Sequence, residues 1–90
     1  MFQLKKTDFF LRKAKKFFKK HPDLIQKFKK ITEQLSLNPF ENSLKTHKLS
    51  SELSEYYSCS LTFEYRIILT IEIKQNEIIL VNIGTHDEVY

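Results

Sequence analysis

Three strand-like runs, Tyr56 to Leu61, Tyr65 to Ile73 and Ile78 to Ile83, follow one another with only three and then four residues between them. Links that short cannot hold a crossover helix, so the runs must pair antiparallel. Lys74-Gln75-Asn76-Glu77 is expected to form the turn between the last two. Alternation then assigns the faces. In the middle run Tyr65, Ile67, Leu69, Ile71 and Ile73 point one way, and Glu64, Arg66, Ile68, Thr70 and Glu72 the other. In the first run Tyr57, Cys59 and Leu61 oppose Ser58 and Ser60. The last is apolar at every position from Ile78 to Val81, which suits a central strand buried on both faces.

The residues before these runs supply what covers one face. Phe2-Gln3-Leu4-Lys5 reads as a short opening strand. Thr7 or Asp8 can then cap a helix through about Lys20, with Phe10, Ala14, Phe17 and Phe18 on its apolar side. His21-Pro22-Asp23 interrupts the pattern, because proline is excluded from a helix interior and suits the first turn of a new helix. Leu24, Phe28, Ile31 and Leu35 mark a second helix, which Asn38-Pro39 ends. The stretch from Pro39 to about Glu55 is polar and irregular. The expectation is one α+β domain over residues 1–90: a helical hairpin on a small sheet with one open polar face.

Charge is distributed unevenly. Residues 1–30 hold eleven Lys or Arg against Asp8 and Asp23, whereas residues 31–90 hold four against nine acids. One end of the fold is thus suited to phosphate or to an acidic partner, although a lysine-rich helix is more often only a solvated face. A single cysteine leaves no internal disulfide. The opening Met1 to Lys6 holds no apolar export segment and no run is long enough for a membrane helix, so a cytoplasmic protein is expected.

Little belongs to the widespread catalytic motifs. Gly84 is the only glycine, which excludes a glycine-rich phosphate loop, and His21, His47, His86 and Cys59 lack the paired spacings of a zinc site. Cys59 shares the inward parity of Tyr57 and reads as a small buried thiol. The remaining polar groups gather at the margin of the open face: Arg66 and Glu64 two apart, His86 just after the last strand, Tyr90 four residues on, and His47 in the irregular segment. Arginine matches phosphate geometry, and histidine is the natural acid or base near neutrality. Singly, each also has a plain structural role: an Arg66 pair with Glu64 or Glu72, a loop histidine at 47, a strand terminator at 86, a packed ring at 90.

The stretch Tyr65-Arg66-Ile67 before an apolar strand, and the terminal Ile83-Gly84-Thr85-His86-Asp87-Glu88-Val89-Tyr90, resemble the RelE/ParE toxin superfamily. Asn38-Pro39-Phe40 through Leu44-Lys45-Thr46-His47-Lys48-Leu49 is similar to its YafQ-type branch. The resemblance covers essentially the whole chain, and the Gly-Thr-His with an aromatic four positions after the histidine is its most specific part. It implies a β-α-α-β-β-β order, with the basic hairpin on a mainly antiparallel four-stranded sheet. It also implies the toxin of a type II toxin–antitoxin pair, a metal-free and ribosome-dependent mRNA endonuclease without cofactors. By position, His47, Glu64, His86 and Tyr90 match the YafQ-type active site, Glu64 standing where aspartate is usual. Arg66 matches the arginine that RelE-type toxins place near the scissile phosphate. Lys13, Lys16, Lys20, Lys27 and Lys30 are the expected RNA and ribosome contacts, and an antitoxin is the expected protein partner. Ser58 and Ser60 depart from the basic residues that the superfamily places there. The alternatives are a non-catalytic ParE-like inhibitor of DNA gyrase, or a decayed member that only binds its antitoxin. An inhibitor acting by binding alone would not need the trio His47, His86 and Tyr90.

Overall fold

A computed structural model describes residues 1–49 and 55–90; the part of the irregular segment at 50–54 lies outside the described residues. Strand β1 (Gln3–Lys6) leads into helix α1 (Asp8–Lys20), a single 3₁₀ turn at Pro22–Leu24, and helix α2 (Ile25–Leu37). The Phe10 N–H donates to Thr7 Oγ1 at 2.9 Å, so of the two candidate caps it is Thr7 that closes the helix start. Removing such a cap typically costs about 1 kcal/mol. Phe28 of α2 stacks on Phe10 and packs at a tilt against Phe18 of α1, with ring centroids 6.1 and 5.0 Å apart, so aromatic contacts tie the hairpin together.

After a second short turn at Asn42–Leu44 come β2 (His47–Lys48), β3 (Tyr57–Ser60), β4 (Tyr65–Glu72) and β5 (Glu77–Thr85), and a closing turn of helix, α3 (His86–Val89). The sheet order is β1-β5-β4-β3-β2, with β1 parallel to β5 and every other pairing antiparallel. The expected architecture is present with one more strand than the four expected and with the closing turn of helix, which was not expected. Two residues, His47 and Lys48, pair with Ser58 and Tyr57, too short a stretch to show any alternation in sequence.

The helix-facing side holds the core: Phe10, Ala14, Ile31 and Leu35 pack on Cys59, Leu61, Ile67, Leu69, Ile78, Leu80 and Ile83. Ile78 and Leu80 are two apart, but Leu80 and Ile83 are three apart, which would put them on opposite faces of a regular strand. A bulge resolves this. Ile68 pairs with Asn82 and Leu69 with Leu80, so Val81 is the extra residue and the phase resets there.

Three sequence expectations need correction. Ile73 does not pack under the helices; it lies past the end of β4 and is exposed. Glu77 belongs to β5, and the left-handed turn residue is Asn76. The face opposite the helices is not open throughout, since Ser58 and Ile68 are both buried.

Candidate functional site

Pairing fixes which side chains share the face away from the helices. Gly84, Arg66 and Ser60 form one row across β5, β4 and β3, and Asn82, Ile68, Ser58 and His47 form the next. Arg66 therefore occupies the expected face and is half-buried. Its Nη1 donates to Ser60 Oγ at 2.7 Å, and Ser60 Oγ donates to the Thr62 carbonyl at 3.3 Å. The guanidinium is thus oriented by a serine at a position where the resemblance expects a basic residue. With one of its five N–H donors on serine, it keeps others for a phosphate.

Arg66 and Ser60 also line a cleft of about 570 Å³ with Lys27 and Lys30 from α2 and Lys45 from the turn beyond. Four cations with so large an opening suit an anionic ligand of nucleotide size or more. Lys45 adopts a left-handed conformation, φ 52°, after its own N–H donates to the Asn42 carbonyl. A lysine, not a glycine or asparagine, stands at that left-handed position, and sequence reasoning missed Lys45 for this reason. The five hairpin lysines expected to contact RNA do not form one surface. Lys27 and Lys30 share the cleft of Arg66, whereas Lys13, Lys16 and Lys20 line another with His21, Tyr65, Thr85 and Glu88. In that second cleft the Tyr65 hydroxyl lies 3.3 Å from His21 Nε2.

His86 opens α3, and its ring meets Tyr90 edge-to-face at 4.1 Å, so these two expected residues do come together. The helix start is a reciprocal cap: Thr85 N–H donates to Glu88 Oε1 at 2.8 Å, and Glu88 N–H donates to Thr85 Oγ1 at 3.3 Å. These bonds from Thr85 hold the Glu88 carboxyl below its ordinary range, with Lys13 and Lys20 adding to the effect. A Cβ on Gly84 would come within 3.1 Å of Glu88 Oε1, so the glycine eases the close approach of Glu88 and does not serve an unusual φ.

His47 lies on β2, not in irregular chain. Its Nδ1 is 3.2 Å from the Lys45 carbonyl. Three strand spacings separate β2 from β5, roughly 14 Å, so His47 and His86 do not touch and can act on one ligand only from opposite sides. Glu64 is also displaced. It sits in the turn before β4, exposed, and among the described residues its carboxylate makes no hydrogen bond or ion pair. The structure therefore unites Arg66 with Ser60 and the α2 lysines, and His86 with Tyr90, while His47 and Glu64 flank them.

Cys59 is fully buried, and burial pushes its thiol up to about 12, with Arg66 pulling weakly the other way. It is protonated at neutral pH and suited to packing alone. Among the described residues no three His, Cys, Asp or Glu side chains gather as a metal site, and no helix is long and apolar enough to cross a membrane.

The family model described as "Bacterial toxin of type II toxin-antitoxin system, YafQ" matches residues 2–90. No curated protein matches the chain in sequence. Among solved structures, a metal-bound toxin from Helicobacter pylori is 24% identical, with a TM-score of 0.84 over 100% of both chains. YafQ from E. coli strain BL21(DE3) is 20% identical, with a TM-score of 0.83 over 100% of this chain and 99% of that one. A chain of the E. coli DinJ-YafQ toxin–antitoxin complex is 18% identical, with a TM-score of 0.81 over 99% of this chain and 97% of that one. At such identities the structural likeness establishes the fold; the family rests on the sequence match.

Proposed function

Since the chain belongs to the YafQ family of type II toxin–antitoxin toxins, we propose that it is an mRNA endonuclease that works in the cytoplasm on the ribosome, with its own side chains and no metal. The observation that carries this reading is Arg66, oriented by Ser60 in a cleft with Lys27, Lys30 and Lys45, with the His86–Tyr90 pair just past the end of β5. In the proposed reaction the ribose 2′-oxygen attacks the adjacent phosphorus and the bond to the 5′-oxygen breaks. The products are a 2′,3′-cyclic phosphate and a 5′-hydroxyl. One histidine takes the 2′-hydroxyl proton and the other protonates the departing 5′-oxygen. An RNA strand laid across the face, with His47 and His86 at its two sides, meets that requirement. Arg66 stabilises charge developing on the phosphate, Tyr90 orients the RNA and Glu64 assists. Holding the strand bent in line supplies the other large contribution. Lys13, Lys16 and Lys20 then hold ribosomal RNA, while Lys27 and Lys30 serve the cleft.

General acid–base groups are typically worth about a hundred- to ten-thousand-fold, so His47→Ala and His86→Ala should each cut the cleavage rate by that order. The pH–rate profile should be bell-shaped in wild type and lose a limb in each variant, and cleavage should survive EDTA. A folded double variant that cuts mRNA at near the wild-type rate contradicts the assignment.

The proposed protein partner is a cognate antitoxin, as in the DinJ-YafQ complex. It would lay an extended acidic or amphipathic segment on the basic hairpin. Co-expression should give a tight complex and restore growth; a neighbouring gene product that neither binds nor rescues counts against it.

A further inference from the structure

The turn between β3 and β4 carries a side chain that the cleavage chemistry leaves unused. Phe63, at the turn, is 93% exposed, and it lines the same cleft as Arg66, Ser60, Lys27, Lys30 and Lys45. A lone exposed apolar side chain is ordinary, but three observations set this one apart.

The turn beneath the ring is well held. Leu61 and Thr62 N–H groups donate to the Tyr65 carbonyl at 2.9 and 3.2 Å, and Thr62 Oγ1 accepts from the Glu64 and Tyr65 N–H groups at 3.2 and 3.1 Å. The turn is also tied to the arginine, because the Thr62 carbonyl accepts from the same Ser60 hydroxyl that receives Arg66. Ring and guanidinium are therefore presented together. Finally, among the described residues the chain neighbours of Phe63 add no exposed apolar side chain: Glu64 beside it is exposed, Thr62 is polar, and Leu61 is buried in the core. A protein interface would extend the apolar surface, whereas an isolated ring beside several cations matches the alternation of flat base and charged phosphate along a single strand.

We propose that Phe63 is a stacking platform for one unpaired base of single-stranded RNA, with the flanking phosphates taken by Arg66 and by Lys27, Lys30 and Lys45. The inference rests on the endonuclease reading and adds to it a base subsite next to the phosphate subsite. Stacking is sequence-tolerant, so the ring adds affinity and fixes the strand's path past Arg66 without selecting one base.

The test is a fluorescence titration of the purified toxin with a short 2′-O-methyl oligoribonucleotide carrying 2-aminopurine, which cannot be cut and is quenched when its base stacks. Wild type should quench the probe on binding. Phe63→Ala should abolish the quench and raise Kd roughly 5- to 150-fold, while Phe63→Trp should keep both. The side chain is exposed, so its removal should leave the fold intact, and a circular dichroism spectrum checks this. Binding without quench in wild type, or Phe63→Ala and wild type giving the same quench and Kd, overturns the subsite. So does a Phe63→Ala variant that loses only antitoxin affinity, which would assign the ring to a protein interface. Failure of the endonuclease reading shows separately, as the absence of mRNA cuts when wild type is induced in cells.

Discussion

Cys59 and Ser60 are neighbours on β3 with opposite fates, and the alternation of the strand is the reason. Cys59 points into the core and Ser60 to the other face, where its hydroxyl bridges Arg66 and the turn. The thiol's behaviour follows from burial and gives a pH prediction. Its pKa rises from 9.0 to about 12 in the folded protein. A group raised in this way contributes stability that is fully present below its unfolded value and is lost as pH rises toward the folded one. The affected window is therefore about pH 9 to 12, with a loss of about 1 kcal/mol by pH 10. Urea-denaturation midpoints of wild type should fall more steeply from pH 8 to 10.5 than those of Cys59→Ala. Parallel curves for the two proteins would refute the burial argument.

At the scale of elements, the basic hairpin divides these lysines between two clefts. Helix α1 gives Lys13, Lys16 and Lys20 to the cleft where the Glu88 carboxylate already stands, and α2 gives Lys27 and Lys30 to that of Arg66. Phosphate contacts add affinity and a salt-dependent contribution that grows roughly in proportion to their number. Reversing Lys27 and Lys30 to Glu should thus lower affinity for single-stranded RNA and flatten its salt dependence by about two contacts' worth. Reversing Lys13, Lys16 and Lys20 should act on ribosome binding instead. Both variants should fold, since these lysines lie outside the core. Equal effects of the two variants on RNA binding would contradict the division.

For the whole molecule, much of the fold was readable and the site less so. The antiparallel order of β3, β4 and β5 followed from link lengths, and the inward set Cys59, Leu61, Ile67 and Leu69 from alternation. Two-residue β2 was not readable, since pairing alone defines it, and neither was the bulge at Val81, where a run apolar at every position hides the phase. The same limits apply to function. Alternation put Arg66 on the face where it lies, whereas the closing turn of helix that brings His86 to Tyr90 was not foreseen, since four residues carry no helical periodicity. Glu64 was assigned to a strand that starts one residue later, and the cleft that joins Lys45 to Arg66 exists only once the chain has closed on itself.

The central claim is that this toxin cuts mRNA through a phosphate site organised by Arg66. The most direct measurement is genome-wide mapping of mRNA 5′ ends after brief induction, comparing wild type with Arg66→Ala at matched protein levels. New 5′-hydroxyl ends within coding sequences should appear for wild type and fall sharply in the variant. No new ends on wild-type induction, or the same ends at the same frequency with Arg66→Ala, would contradict it.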